Sequence, residues 1–258
     1  MNLLNLITSL TPCVLKAGKK IMDIYESNPS KKLKEDGSPV TEADNAAEEI
    51  INNELKKLVP EILVVSEENA SSHSKIASNR FFLVDPLDGT KEFLKKDGKG
   101  SFTVNISLIE NNLPKMGIVY APALDHLYFG CQASGAYKTF NGRKTKISVR
   151  KPQNDKLVAV ASVSHKDFNT KQWLIQNNVQ ETTSIGSSVK FCLVASGQAD
   201  VYPRFGPTME WDTGAGDAVL RAAGGKTTLP DSKEFIYGKP EYRNGAFVAW
   251  GGFAPSMT

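Results

Sequence analysis

The sequence is short of several things at once. It has three cysteines in 258 residues, Cys13, Cys131 and Cys192, far apart and with no C-x-x-C pair. That excludes a disulfide framework and a thiolate zinc site, and fits thiols kept reduced in the cytoplasm. No charge of one sign dominates: 31 Lys and Arg against 28 Asp and Glu leave a net charge of +3. Electrostatics alone therefore give no case for a nucleic-acid polymer as partner. No apolar run approaches the roughly 18 residues that a membrane span needs. The opening residues lack the basic n-region of a secretory signal, and Asn5, Thr8 and Thr11 break their apolar part. Leu4, Ile7, Val14, Ala17 and Ile21 recur at helical spacing, which predicts an amphipathic first helix. A single chain shows no interface, so oligomeric state is not legible.

What is present is an ordinary globular composition, 40% hydrophobic and 23% charged. After the first helix, SNPSKKLKEDGSPV reads as a loop. T-E-A-D at 41–44 resembles a capping box, and Ala47, Ile50, Ile51, Leu55 and Leu58 continue a helix to Pro60. ILVVS and RFFLVD read as short strands around a polar loop, 69–79. SFTVNISLI alternates, with Phe102, Val104, Ile106 and Leu108 on one face and Thr103, Asn105 and Ser107 on the other, predicting a half-buried strand. PKMGIVYAP and HLYFGCQ extend it into an antiparallel meander. From about residue 155 strands and helices alternate: KLVAVAS, a helix through WLIQNN, TTSIG, SVKFCLVASG, ADVYPR, then a helix over 212–223 closed by Gly224 and Gly225. The chain thus divides into an α+β half, 1–150, and an α/β half, 151–258. No linker separates them, and they are expected to pack as one unit. Trp173, Trp211, Trp250 and Cys192 read as packing residues.

Four acidic stretches sit beside element ends: TEAD (41–44), SEE (66–68), DPLD (85–88) and EWD (210–212). Strand ends and helix starts are where open α/β architectures place their sites. Carboxylates gathered there repel one another unless cations bind among them, and an all-oxygen donor set suits Mg²⁺. Pro86 stiffens a turn that can aim Asp85, Asp88 and the Leu87 carbonyl at one point. Gly89 and Thr90 then offer N–H groups and a hydroxyl to an anion. Metal beside anion nest points to metal-assisted phosphoryl transfer to water. Each stretch taken alone is also a plain turn or a helix cap. A nucleophilic aspartate of the haloacid-dehalogenase kind needs D-x-D, whereas this chain has D-x-x-D.

VSEEN, DPLDGTKEF and EWDTGAGDAVLRAAGG, with DGSPVTEAD before them, resemble the signatures of the lithium-sensitive, Mg²⁺-dependent inositol monophosphatase superfamily. GSSVKFCLVASGQADVYPRFGPTMEWDTGAGDAV and the KEF after DPLDGT resemble its 3′(2′),5′-bisphosphate nucleotidase branch, although DTGAGDA departs from the DTAAG common there. The resemblance implies a layered αβαβα sugar-phosphatase fold, with a mainly antiparallel N-terminal sheet and a smaller C-terminal α/β half. It implies two Mg²⁺ ions, with a third, weaker site bordered by Asp44. Glu67 would ligate the first metal and orient a water, Asp85 would bridge both, the Leu87 carbonyl would complete the first site, and Asp88 and Asp212 would hold the second. Gly89 and Thr90 would hold the substrate phosphate, with Glu67, Leu87, Asp88 and Asp212 also bordering the substrate. Asp44 would act with Thr90 on the attacking water. Ser187, Lys190 and Arg204 would face the 5′-phosphate side and His165 the nucleotide, although such Lys, Arg and His residues are more often merely solvated. The implied reaction is hydrolysis of adenosine 3′,5′-bisphosphate to AMP and phosphate in sulfate assimilation, with no phosphoenzyme. Rivals are an inositol- or sugar-phosphate phosphatase on the same scaffold and a non-catalytic phospho-ligand binder. KKLK (31–34) reads as a solvated loop or a lid. It also leaves open a weak peripheral contact with the cytoplasmic face of the inner membrane, with which the branch has been associated.

Overall fold

In the computed structural model the described residues are 2–27, 31–33, 39–75, 78–96, 100–152, 156–161 and 168–253. Helix α1 (Leu3–Glu26) starts where the Asn2 side chain accepts from the Asn5 N–H at 3.1 Å, as an N-cap does. Its apolar stripe is buried from Leu6 to Ile24. The expected loop after it carries a short antiparallel pair, β1 (Lys31–Leu33) and β2 (Pro39–Thr41). Lys34, the end of the KKLK run, lies outside the described residues. Helix α2 (Glu42–Leu58) begins with a full capping box between Thr41 and Asp44. Strand β3 (Leu63–Ser66) and strand β4 (Arg80–Asp88) run parallel, and the polar segment between them contains one helical turn, α3 (Ala70–His73). After α4 (Thr90–Lys95), the chain lays down β5 (Thr103–Glu110), β6 (Leu113–Ala121), β7 (His126–Cys131), β8 (Gly135–Phe140) and β9 (Arg143–Ile147) as an antiparallel meander. The first sheet is thus seven-stranded in the order β3-β4-β5-β6-β7-β8-β9.

The second sheet has five strands in the order β11-β10-β12-β16-β14: β10 (Leu157–Ala161), β11 (Val179–Ser184), β12 (Val201–Arg204), β14 (Lys226–Thr228) and β16 (Phe247–Trp250). Its helices are α5 (Phe168–Gln176), α6 (Val189–Ala195) and α7 (Glu210–Ala222), and a small pair joins β13 (Thr208–Met209) to β15 (Arg243–Asn244). The layers stack as α1 and α2, the seven-stranded sheet, α6 and α7, the five-stranded sheet, and α5. No helix among the described residues is long and apolar enough to cross a membrane.

Two cores hold the stack. Phe82, Val84, Val104, Ile106 and Leu108 meet α1 and α2 on one face of the first sheet. Phe81, Leu83 and Ile109 meet α6 and α7 on the other. β5 is therefore buried on both faces rather than one: Thr103, Asn105 and Ser107 are each 0% exposed. The alternation is real, but α7 covers the polar face. Glycine permits the close approach. A Cβ on Gly117 would meet the Ala215 carbonyl at 2.2 Å, and one on Gly214 would meet the Ser107 hydroxyl at 2.5 Å. The polar row on β5 is thus the floor of something other than solvent.

Candidate active site

The site forms where β4 ends. In a regular strand Asp85 and Asp88, three residues apart, would point to opposite faces. Here the register shifts between them: Asp85 pairs with Asn105 and Asp88 with Thr103, so two residues on β4, Pro86 and Leu87, oppose one on β5, Val104. This one-residue bulge restores the parity and brings both carboxylates to the face that carries Thr103 and Asn105. Pro86, inside the bulge, has no N–H to lose there. Leu87 turns its side chain into the α1–α2 core, and its N–H donates to Asp85 Oδ1 at 3.1 Å. The parallel strand β3 ends alongside, and the Glu67 N–H donates to the Val84 carbonyl at 3.1 Å. Asp212 comes from the first turn of α7, where its Oδ2 accepts from the Met209 N–H at 2.8 Å.

Glu67, Asp85 and Asp212 converge, with one carboxylate oxygen from each lying within 4.8 Å of the others. Asp85 is 1% exposed, and its Oδ2 has no hydrogen-bond partner. Burial, and then the charges of Glu67, Asp88 and Asp212, hold the Asp85 carboxyl well above the usual carboxylate range. Burial, then Asp88 and Glu67, does the same to Asp212. Three crowded carboxylates and an orphaned acceptor are what a hard divalent cation satisfies, so the residues fit one. Asp88 stands beside this trio. Its Oδ2 accepts from the Ser188 N–H at 2.6 Å, with longer contacts from Asn105 Nδ2 at 3.4 Å and Thr103 Oγ1 at 3.5 Å. Burial raises its pKa too, opposed by Lys190 and the Ser188 N–H.

The turn expected to seat a phosphate follows directly. Gly89 takes φ 92°, a left-handed turn that a side chain would strain, and caps α4. Thr90 Oγ1 shares its proton between Asp44 Oδ1 and the Leu87 carbonyl, both at 3.2 Å. The other Asp44 oxygen accepts from the Thr41 N–H and hydroxyl, each at 2.7 Å. The capping aspartate of α2 is thereby part of the site, 46 residues before its partner.

A cavity of about 600 Å³ joins these parts. Glu67, Asp85, Leu87, Asp88, Gly89, Thr90, Ser187, Lys190, Arg204 and Asp212 line it together. Asp44 reaches it through Thr90, and His165 lies outside the described residues. Lys190 is buried. Desolvation pulls its pKa down to about 8, with Asp88 opposing, and its Nζ donates to the Ser187 carbonyl at 2.6 Å. The Ser187 hydroxyl is buried without a partner.

Sequence reasoning missed Ser188, whose N–H holds Asp88 while its hydroxyl donates to the Asp212 carbonyl at 2.7 Å. The doubled serine of GSSVK was the available signal. It also missed Lys91, Glu241 and Arg243 in the lining. Glu210, by contrast, is structural. Its buried carboxylate accepts from the Gly238 and Lys239 N–H groups at 2.8 and 3.0 Å.

Residues 3–252 match the model of the inositol monophosphatase family. The chain is 47% identical over 211 residues to the 3′(2′),5′-bisphosphate nucleotidase CysQ of Escherichia coli O6:H1, covering 81% of this chain and 84% of that protein. It is 34% identical over 243 residues to the protein of the same name from Aggregatibacter actinomycetemcomitans, covering 92% and 89%. Among solved structures, CysQ from Bacteroides thetaiotaomicron superposes with a TM-score of 0.82 at 36% identity over 97% of this chain and 98% of that one. A Thermotoga maritima IMPase superposes with a TM-score of 0.78 at 25% identity, over 98% and 93%.

Proposed function

The chain belongs to the inositol monophosphatase family, and from that premise we propose that it hydrolyses adenosine 3′,5′-bisphosphate to AMP and phosphate. The carrying observation is the Glu67–Asp85–Asp212 cluster, with its orphaned oxygen, in one cavity with Gly89 and Thr90. The relatives named as 3′(2′),5′-bisphosphate nucleotidases support the substrate.

Mg²⁺ is the cation. Glu67, Asp85 and the Leu87 carbonyl would hold one ion, and Asp85, Asp88 and Asp212 a second, with Asp44 bordering a third position. When bound, the ions supply positive charge for the phosphoryl oxygens and acidify water. The chain's own groups do the rest. Gly89 and Thr90 seat the 3′-phosphate at the start of α4, where backbone N–H groups have no helical partner. Thr90 Oγ1 accepts a proton from the attacking water as it passes its own to Asp44 Oδ1. The Thr41 contacts fix Asp44 for that role. Water attacks in line, the bond from phosphorus to the ester oxygen breaks, that oxygen leaves on AMP and takes a proton from solvent water, and no side chain is phosphorylated. Ser187, whose hydroxyl is unpartnered, and Lys190 face the rest of the nucleotide. Cytoplasmic placement rests on three free, buried thiols.

The test compares hydrolysis of adenosine 3′,5′-bisphosphate with that of inositol 1-phosphate at saturating Mg²⁺. A preference for the bisphosphate is expected. A clear preference for the inositol ester moves the activity to the rival branch, and no turnover of any phosphomonoester leaves a binder.

A further inference from the structure

The Glu67–Asp85–Asp212 cluster is assembled from places far apart in the chain. Glu67 directly follows β3, and Asp212 stands in the first turn of α7. One carboxylate oxygen from each lies within 4.8 Å of the other and of one from Asp85. When ionised, carboxylates at that range push their carriers apart until a cation enters. Paired divalent ions tolerate little such movement, because they stand roughly 3.5–4 Å apart and their ligands must hold to within about 0.5 Å. The end of β3 therefore has to be held against the start of α7.

His73, the last residue of α3, touches both. Its Nε2–H donates to the Ser66 carbonyl at 2.8 Å, and a carbonyl can only accept, so this contact fixes the tautomer. The face of the ring stacks on the indole of Trp211, with centroids 4.6 Å apart and planes 24° from parallel. Ser66 precedes Glu67, and Trp211 precedes Asp212. Each contact is rooted in its own element. The Ser66 N–H donates to Ser72 Oγ at 3.2 Å, and the Ser66 carbonyl also accepts from the Asn69 N–H at 3.1 Å. The Glu67 N–H is tied to β4 through the Val84 carbonyl. Farther along the same segment, the Lys75 carbonyl accepts from the Tyr242 hydroxyl at 2.8 Å. Trp211 is buried, and its neighbour Glu210 is gripped by the Gly238 and Lys239 N–H groups. Ser66 and Trp211 cannot separate without breaking the hydrogen bond or the stack.

We infer that His73 is a positioning residue for the metal cluster: its ring holds the end of β3 on the first turn of α7 and so sets the spacing of Glu67 and Asp212. The inference rests on the reading of both carboxylates as metal ligands. The experiment titrates chelator-washed protein with Mn²⁺ and follows the free ion by its electron paramagnetic resonance signal, so that binding is read without turnover. The wild type is compared with His73→Ala, His73→Gln, His73→Phe and Tyr242→Phe. His73→Ala loses both contacts and should bind Mn²⁺ roughly tenfold more weakly, the usual cost of removing a group that orients metal ligands. Its half-saturating Mg²⁺ concentration for turnover should rise in step, with a much smaller change in KM for the bisphosphate at saturating Mg²⁺. His73→Gln keeps a donor for the Ser66 carbonyl and His73→Phe keeps the stacked ring, so each should recover part of the affinity. Tyr242→Phe loosens the same segment at Lys75 but leaves the His73 contacts in place, and should bind Mn²⁺ as the wild type does. Wild-type affinity in His73→Ala, or equal losses in His73→Ala and Tyr242→Phe, overturns the inference and leaves the ligand reading standing. A wild type that binds no Mn²⁺ overturns both.

Discussion

At the scale of single residues the site is a store of unfavourable charge. Asp85 is buried with Asp212 half-buried beside it, and both carboxyls are held above their ordinary value of 3.8. For an acid whose folded pKa is raised, the stability it contributes is present below the unfolded value and lost as pH rises through the folded one. Metal-stripped protein should therefore lose thermal stability as pH climbs above the ordinary carboxylate range. Asp85→Asn removes one of the crowded charges and can keep the acceptor for the Leu87 N–H. In chelator at pH 8 it should melt above the wild type, by about 1–3 kcal/mol of stability, with the gap shrinking toward pH 5. Mg²⁺ should raise the wild-type Tm and leave that of the variant nearly still. A variant that melts lower at pH 8 would contradict the crowding argument. Asp88→Asn is different, because Ser188, Thr103 and Asn105 already satisfy Asp88. Its kcat should fall by about two orders of magnitude or more, with stability within about 1 kcal/mol of the wild type. Turnover close to normal would remove Asp88 from the second metal position.

At the scale of elements the bulge in β4 and the packing of α7 do the positioning. Gly117→Ala would drive a methyl into the Ala215 carbonyl, and a helix backbone cannot swing aside. The expected loss is about 1–3 kcal/mol, read by urea unfolding. A raised half-saturating Mg²⁺ concentration should accompany it, because Asp212 rides on the same helix. Normal stability would mean that the helix slides freely on the sheet. Much at this scale was readable in advance. DPLD, SEE, TEAD and EWD sit at element ends whose apolar periodicity is plain, and Thr41 with Asp44 makes a cap by spacing alone. The bulge was not readable, because a turn and a one-residue bulge share the letters D-P-L-D and only strand parity separates them. The polar face of β5 was misassigned to solvent, since alternation shows that two faces differ but not what covers each. The strands β8 and β9 were missed because GAYKTF is mostly half-buried, RKTKI is largely exposed, and neither carries much apolar signal. Arg243 was missed because its place depends on pairing with Met209, 34 residues earlier, and on φ values that Glu241 and Tyr242 do not advertise.

At the scale of the whole molecule the active site straddles the two halves of the chain. Glu67, Asp85 and Asp88 come from the first sheet. Asp212 comes from α7, which packs on β5, β6 and β7 and also against β14. A core that mixes Phe81 and Leu83 with Phe191, Val219 and Phe247 leaves little for either half to fold on alone. Urea unfolding followed by far-ultraviolet circular dichroism and by tryptophan fluorescence should give one midpoint. Trp211 reports the middle of the stack, while Trp173 and Trp250, with ring centroids 5.7 Å apart, report its far side. Separated midpoints would mean that the halves are independent. The three thiols add a second use for this layering. Cys13 sits between α1 and α2, Cys131 at the end of β7 and Cys192 on α6, all buried. Burial lifts Cys13 to about 11 and Cys192 higher still, so neither offers thiolate near neutral pH. Alkylation can then proceed only as fast as the surrounding layer opens. Variants keeping one cysteine at a time would turn labelling rates into a clock for each layer, showing which sheet breathes first as the enzyme turns over.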